Sequence, residues 1–363
     1  MVLDISLSVI IGANEMGMTR NDSVSFSIII PVQNGEKTIE RLLGSLIIQK
    51  SRILEVLICN DHSTDRTVEV ANRYKDVLPI TVLNVPDELG NSPGNARQVG
   101  LDYASGEWIV FADADDILTF NALGFYDSVI KENPMTKMVV AAFDEVAFDP
   151  FRLIDHIARP FAWVHAKAFN AAYIKKHNLR FSQTLYTHED KYFTFLNVLT
   201  LRANQDPEPY VSDTTTYYWC RSPESIVSRD DGKYPIMSAV ESMDAIIEPI
   251  LKIKEEKGLT KSKVIEMFEY ELFSTILDIY HKIQCGRDVW GQEEIDRFNM
   301  EAQAMNRIRK IQSITGWTNQ WLIENCRRHP DLYNASRKDS VRTMREFVPK
   351  QSFSEFLERM EEE

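Results

Sequence analysis

The sequence is poor in the features of a membrane, redox or nucleic-acid-coating protein. No window approaches 18 unbroken apolar residues, so no membrane-spanning helix is expected. There are four cysteines, Cys59, Cys220, Cys285 and Cys326, and none forms a CxxC pair. A zinc cluster or thioredoxin-like site is therefore not expected, and reduced thiols in a cytosolic protein are the plain reading. Basic residues are in deficit: 41 Lys and Arg stand against 54 Asp and Glu, a formal net charge of −13. That balance disfavours coating of duplex nucleic acid or of anionic lipid. The first residues carry Asp4 and no basic run, unlike a signal peptide. The expected location is cytoplasmic, or peripheral at the inner face of the membrane.

What remains is ordinary for a globular chain: 44% hydrophobic and 26% charged residues. At 363 residues it is long enough for one large domain with an appendage, or for two. Residues 26–150 alternate strand-like and helix-like segments. FSIIIPV, LEVLICND, ITVLNV and EWIVFAD are β-branched or apolar runs. EKTIERLLGSLIIQ, STDRTVEVANRYKDV and NARQVGLDYA have helical character. Ser63 or Thr64 is the expected N-cap of the second helix. This order implies a mostly parallel sheet flanked by helices, with ligands at the carboxyl ends of the strands. Further on, MVVAAFDEVAF reads as strand, AKAFNAAYIKKHNL as helix, THEDKYFTFLNVLTL as a helix with a polar start, and TTTYYWC as strand. After about residue 235 only amphipathic helices follow. The expected organisation is an extension over 1–24, a catalytic domain over 25–235 and a helical region over 236–363.

The stretch EWIVFADADD delivers Asp113, Asp115 and Asp116 from the end of a buried strand. Carboxylates so close together repel, and burial makes them costlier still. A solvated, capped turn is the plain reading of such a cluster taken alone. A divalent cation is the alternative, because Mg2+ and Mn2+ take oxygen ligands and bridge carboxylates to substrate phosphates.

The company of this cluster favours the cation. Pro31-Val32-Gln33-Asn34 ends the first strand. Asn60-Asp61-His62-Ser63-Thr64-Asp65 follows the second. Gly94-Asn95-Ala96-Arg97-Gln98-Val99-Gly100 opens the third helix, and His188-Glu189-Asp190 comes downstream. The order resembles glycosyltransferase family 2 on the GT-A fold, over roughly residues 25–230. Gln98 stands where the family usually has Asn, and His62 where it often has Gly.

The resemblance implies an inverting transferase that moves a sugar from a nucleotide-diphosphate donor, a UDP-sugar in the first instance, to an acceptor hydroxyl. It implies donor-binding roles for Pro31, Gln33, Asn34, Asp61, Gly94, Arg97, Asp113 and Arg221. Asp61 would accept from a uracil-type N–H and Asp113 would face the ribose. Asp115, with Asp113, would hold Mn2+ or Mg2+, while Asp116 either assists or caps a turn. Asp65 reads as a helix cap. Asp190 is the expected general base, and Glu189 its alternate or an acceptor-binding group; a helix N-terminus is the plain alternative for both. Trp163, His165, Lys167 and His188 are candidates for the acceptor side, against packing roles. Ser225 and Arg229 would join Arg221 near the diphosphate.

The helical region carries no catalytic constellation. Arg337, Lys338, Arg342 and Arg345 read as a solvated face, an anionic contact or a partner contact. These helices leave docking on the catalytic domain or a homodimer open. The acceptor is a saccharide, a lipid-linked saccharide or another hydroxyl compound. Two other readings compete: a nucleotidyltransferase, weakened by the sparse Gly35 and Lys37 after the first strand, and a non-catalytic nucleotide-sugar-binding or scaffolding module.

Overall fold

The computed structural model describes residues 23–89, 92–148, 151–158, 162–185, 187–221, 234–267 and 294–318, with Glu269, Leu272, Ile276 and Trp321. The expected extension over 1–24 lies almost wholly outside these residues. So do Ser225, Arg229 and the basic cluster at 337–345.

Nine strands among the described residues form one sheet: β1 (Phe26–Val32), β2 (Ile53–Asn60), β3 (Ile80–Asn84), β4 (Trp108–Phe111), β5 (Ile117–Leu118), β6 (Met138–Phe148), β7 (Phe151–His156), β8 (Lys167–Asn170) and β9 (Tyr210–Cys220). Their spatial order is β3-β2-β1-β4-β8-β6-β9-β5, with β7 on β6. The first four run parallel; β8 is antiparallel to both β4 and β6. The chain builds β2 and β3 to one side of β1 and β4 to the other. The crevice where that order reverses lies at the carboxyl ends of β1 and β4, the usual ligand position in such sheets. Pro31 fits within β1 because β4 pairing stops at Ile29↔Phe111, so its missing N–H falls beyond that ladder.

Alternation along β1 sorts side chains to two faces. Ile28 and Ile30 join a cluster with Leu42, Leu43 and Leu46 of α1 (Ile39–Ile47) and Leu123 and Tyr126 of α4 (Ala122–Glu132). Ile29 faces the other cluster, which holds Ala96 of α3 (Pro93–Tyr103) and Phe193, Leu196 and Leu199 of α6 (Glu189–Asn204). Phe111 at the end of β4 makes edge contacts with Phe169, Phe181 and Phe193 at 5.3–5.8 Å, fastening α6 to the sheet.

The same cluster continues into Met243, Ile246, Ile247 and Ile250 of α7 (Tyr234–Lys257) and Ile308 and Ile311 of α8 (Glu294–Thr315). Arg307 of α8 pairs with Asp244 of α7 at 3.0 Å. Glu241 of α7 accepts a 2.6 Å hydrogen bond from the Thr187 N–H, two residues before Glu189.

Two expectations are corrected. The second helix, α2 (Thr67–Asn72), starts later than Ser63 or Thr64. The Ser63 hydroxyl accepts from Asn34 N–H and Thr64 N–H donates to Asn34 Oδ1, so both residues lace the neighbouring loop; Asp65 accepts from Thr67 N–H at 2.9 Å and caps. Residues 166–179 are not one helix. Lys167–Asn170 is strand β8, recruited by two neighbours, and Asn170 then caps the short α5 (Ala171–Lys176) through the Tyr173 N–H.

Candidate active site

Three strand ends and one helix start meet at the crevice. Asn34 follows β1, Asp61 follows β2, Asp113 follows β4, and Glu189 and Asp190 open α6. The first two ends are stitched together: Gln33 Nε2 donates to the Asp61 carbonyl at 2.9 Å, and Asn34 Oδ1 accepts from Thr64. Asn34 (φ 55°), His62 (φ 57°) and His188 (φ 61°) all have left-handed backbones, a concentration typical of sites whose loops are held by their surroundings. Asp61 is buried, and one of its carboxylate oxygens lies 2.8 Å from His62 Nδ1.

Arg97 joins the end of β4 to the first turn of α6. It is 5% exposed, pairs through one terminal nitrogen with Asp113 at 2.6 Å and through the other with Glu189. Burial works against its charge, but the two carboxylates outweigh burial and raise its pKa. Burial pushes Glu189 up to about 7 against the pull of Arg97, with the Asp190 charge adding to the rise. Asp190 is raised for the same reason, opposed by Arg97; its Oδ1 accepts from Lys191 N–H at 2.6 Å. Gly94 makes room for this arrangement: a Cβ there would lie 2.7 Å from Glu189 Cγ.

The three clustered aspartates have separate fates. Asp116 is buried and structural, accepting from the Tyr217 hydroxyl at 2.6 Å and from Cys220 N–H at 2.7 Å. The Tyr217 hydroxyl in turn accepts from Asp113 N–H at 3.0 Å and so fixes the strand end. Asp113 is committed through one oxygen to Arg97. Asp115 is half-buried, and burial followed by the charge of Asp113 lifts it to about 6. A cation would relieve that cost. Among the described residues no group of three or more His, Cys, Asp or Glu forms a cage. One or two carboxylates suffice for Mg2+ or Mn2+ when substrate phosphates complete the shell, and Asp115 with Asp113 fits that requirement.

On the far side of the crevice, Lys167 is 2% exposed, with a long contact of 3.5 Å to the His165 carbonyl. Burial brings its pKa down to about 7, while the charge of Asp190 pulls it up. His165 is buried and stacked on Tyr217 at 4.9 Å, and burial takes it down to about 3, so its ring is neutral. Trp163 stacks on His165 at 5.7 Å. Lys167 thus lies within electrostatic reach of Asp190, and His165 and Trp163 form an aromatic column. His188 occupies the N-cap position of α6. Arg221 lies at the end of β9 with its guanidinium 5.8 Å from the Trp219 ring and its Nε paired with Glu145.

Two residues of this neighbourhood escaped the sequence reading. Glu145, buried and also contacted by His156 Nε2 at 3.2 Å, was signalled by a charge inside the apolar run MVVAAFDEVAF. Tyr217 was signalled only by its inward phase in β9.

Residues 27–180 match the profile described as Glycosyl transferase family 2. By sequence the chain is 28% identical over 209 residues to the poly(ribitol-phosphate) beta-N-acetylglucosaminyltransferase TarS of Staphylococcus aureus, covering 54% of this chain and 35% of TarS. It is 33% identical over 117 residues to the UDP-Glc:alpha-D-GlcNAc-diphosphoundecaprenol beta-1,3-glucosyltransferase WfgD of Escherichia coli, covering 32% of this chain and 45% of WfgD. The chain thus spans about a third of TarS and less than half of WfgD. A crystal structure of S. aureus TarS 1–349 with UDP-GlcNAc superposes with a TM-score of 0.59 at 21% identity, covering 89% of this chain and 90% of that one. That likeness establishes the fold class: a GT-A architecture, a mostly parallel sheet flanked by helices. The profile match adds a likeness to glycosyltransferase family 2 over residues 27–180, about two-fifths of the chain.

Proposed function

We propose that this protein transfers a sugar from a nucleotide-diphosphate donor, a UDP-sugar, to an acceptor hydroxyl with inversion at the anomeric carbon. The observation that carries this reading is the Arg97 bridge, which brings the end of β4 and the first turn of α6 into one site. The activities that name TarS and WfgD support a sugar transferase, and the WfgD name supports a UDP-sugar donor.

Asp61 accepts from the base, and Asp113 faces the ribose. Asp115, with Asp113, is where Mn2+ or Mg2+ would sit, and the charge of that ion would offset the diphosphate as it departs. Asp190 takes the proton of the acceptor hydroxyl. The acceptor oxygen forms its bond to the anomeric carbon as the bond from that carbon to the diphosphate oxygen breaks, and the nucleoside diphosphate leaves with the electron pair. Arg97 keeps Glu189 beside the base without consuming Asp190. Lys167 supplies positive charge that favours the ionised form of Asp190.

The acceptor is a hydroxyl of a surface polymer or of a lipid-linked saccharide. The catalytic unit is 25–235, with helices beyond it that brace it or join two copies. No helix among the described residues is long and apolar enough to cross a membrane, and the proposed place of work is the cytoplasm or the inner membrane face.

The test is nucleotide release from a panel of UDP-, GDP- and TDP-sugars with Mn2+ or with EDTA, alongside nucleotide binding by calorimetry. Metal-dependent release from a UDP-sugar, lost in Asp115→Asn and Asp190→Asn, is the expected result. Absence of both release and metal-dependent nucleotide binding would overturn the reading.

A further inference from the structure

His62 touches two carboxylates from different parts of the chain. Nδ1 lies 2.8 Å from Asp61 Oδ1, in the same loop, and Nε2 lies 2.8 Å from Asp87 Oδ1, in the 3-10 turn Asp87–Leu89 that follows β3. Those are the charged groups that face the ring from the two segments packed against it. The ring is about one-third exposed; Asp61 beneath it is 8% exposed at its side chain and Asp87 outside it is 96% exposed. The residue also holds a left-handed backbone, φ 57°, which residues with a Cβ seldom adopt. The loop keeps a histidine where its backbone conformation would favour glycine.

We propose that His62 is a positioning residue for the base of the donor nucleotide: its ring clasps Asp61 to the Asp87–Leu89 turn and fixes which carboxylate oxygen Asp61 offers. The inference rests on the nucleotide reading of the site. With Oδ1 turned to the ring, Oδ2 is the oxygen left to accept a base N–H, so the site presents one aimed acceptor.

The clasp depends on charge. A neutral imidazole has one N–H and one lone pair, so it can donate to only one of two carboxylates. The imidazolium donates to both. The bond to Asp61, then that to Asp87, raises the ring above its ordinary value, so the bridging form persists to higher pH than in a free imidazole. As pH rises through that raised value the ring loses one bond, Asp61 loses its fixed orientation, and nucleotide affinity falls. An exposed outer partner limits the effect to about two- to fivefold.

The experiment is calorimetric titration of UDP, with Mn2+ at constant concentration, from pH 5.5 to 8.5, for wild type, His62→Gln and Asp87→Asn. Titration of the UDP phosphate is common to all three, so differences between proteins report the ring. The expected wild-type affinity falls with pH relative to His62→Gln, which binds weakly throughout because its amide has donors at one end only and a carbonyl acceptor at the other. Asp87→Asn shifts the fall to lower pH. Parallel curves for wild type and His62→Gln would overturn the clasp while leaving the nucleotide site standing. No UDP binding by any of the three at any pH would overturn the site, and the clasp with it.

Discussion

Replacing Arg97 by Met keeps most of the side-chain volume and removes the charge that ties Asp113 to Glu189. Arg97 and Glu189 are nearly inaccessible, at 6% and 7% of their side-chain surface, whereas Asp113 retains 31%. Breaking one side of a buried ion pair costs about 3–5 kcal/mol. Most of that falls on Glu189, since Asp113 can be rehydrated. The cost also depends on pH. With Arg97 present, Glu189 titrates at about 7, and Arg97 is the group that pulls it down. In the variant it titrates higher still. A carboxyl raised in the folded state contributes stability that is complete below its unfolded pKa and is lost as pH rises through the folded one. Near pH 5.5 Glu189 is protonated in both proteins, and the variant is penalised least. Above pH 7 the wild type holds an ionised, paired Glu189, while the variant must keep it protonated at about 1.4 kcal/mol per pH unit or leave its charge unpaired. Urea unfolding at pH 5.5 and 8.5 should show a deficit of about 3–5 kcal/mol at the higher pH and about 1–2 kcal/mol less at the lower. Adding Glu189→Gln should flatten that difference. A deficit below about 1 kcal/mol, the range of an exposed pair, or an equal deficit at both pH values, would refute the reasoning.

Two other substitutions probe the rest of the site. Lys167→Met should move the acid limb of the kcat/KM profile to higher pH, because the lysine charge is one of the groups that lowers Asp190; the effect belongs below pH about 7, where Lys167 is charged. An unmoved limb would separate Lys167 from the base. Asp116→Ala strips the acceptor from the Tyr217 hydroxyl and from Cys220 N–H, each worth about 1–3 kcal/mol when left unpaired. Its melting temperature should fall by about 4–15 °C in differential scanning calorimetry, and a melting temperature within a degree of wild type would show that the aspartate is not structural.

The sheet and its polar edge were legible because β-branched runs and amphipathic spacing agree there with the fold. β1 is buried along its whole length, and α1 buries the Ile39, Leu42, Leu43 and Leu46 face that its spacing implied. The polar ends carrying Asp61, Asp113 and Glu189 stood out because they follow apolar runs or open a helix, in an order that resembles glycosyltransferase family 2. Lys167–Asn170 was misread because its strand character is imposed by β4 and β6 from outside the segment. The link from Arg97 to Glu189 spans 92 positions, and local patterning carries no information at that range. Nor does spacing separate Asp115 from Asp116: adjacent carboxylates went to a half-open position and to the core.

The hydrogen bond from Thr187 to Glu241 gives the C-terminal helices a mechanical office. The profile match stops at residue 180, before the first turn of α6. The dyad opens a beam whose Phe193 packs on Phe111 of the sheet and whose lead-in, Thr187, is held by α7. A displacement of α7 would be borne first at the joint next to Glu189 and Asp190. From there the strain passes through Arg97 to Asp113, so the helical layer and the end of β4 are linked in one mechanical train.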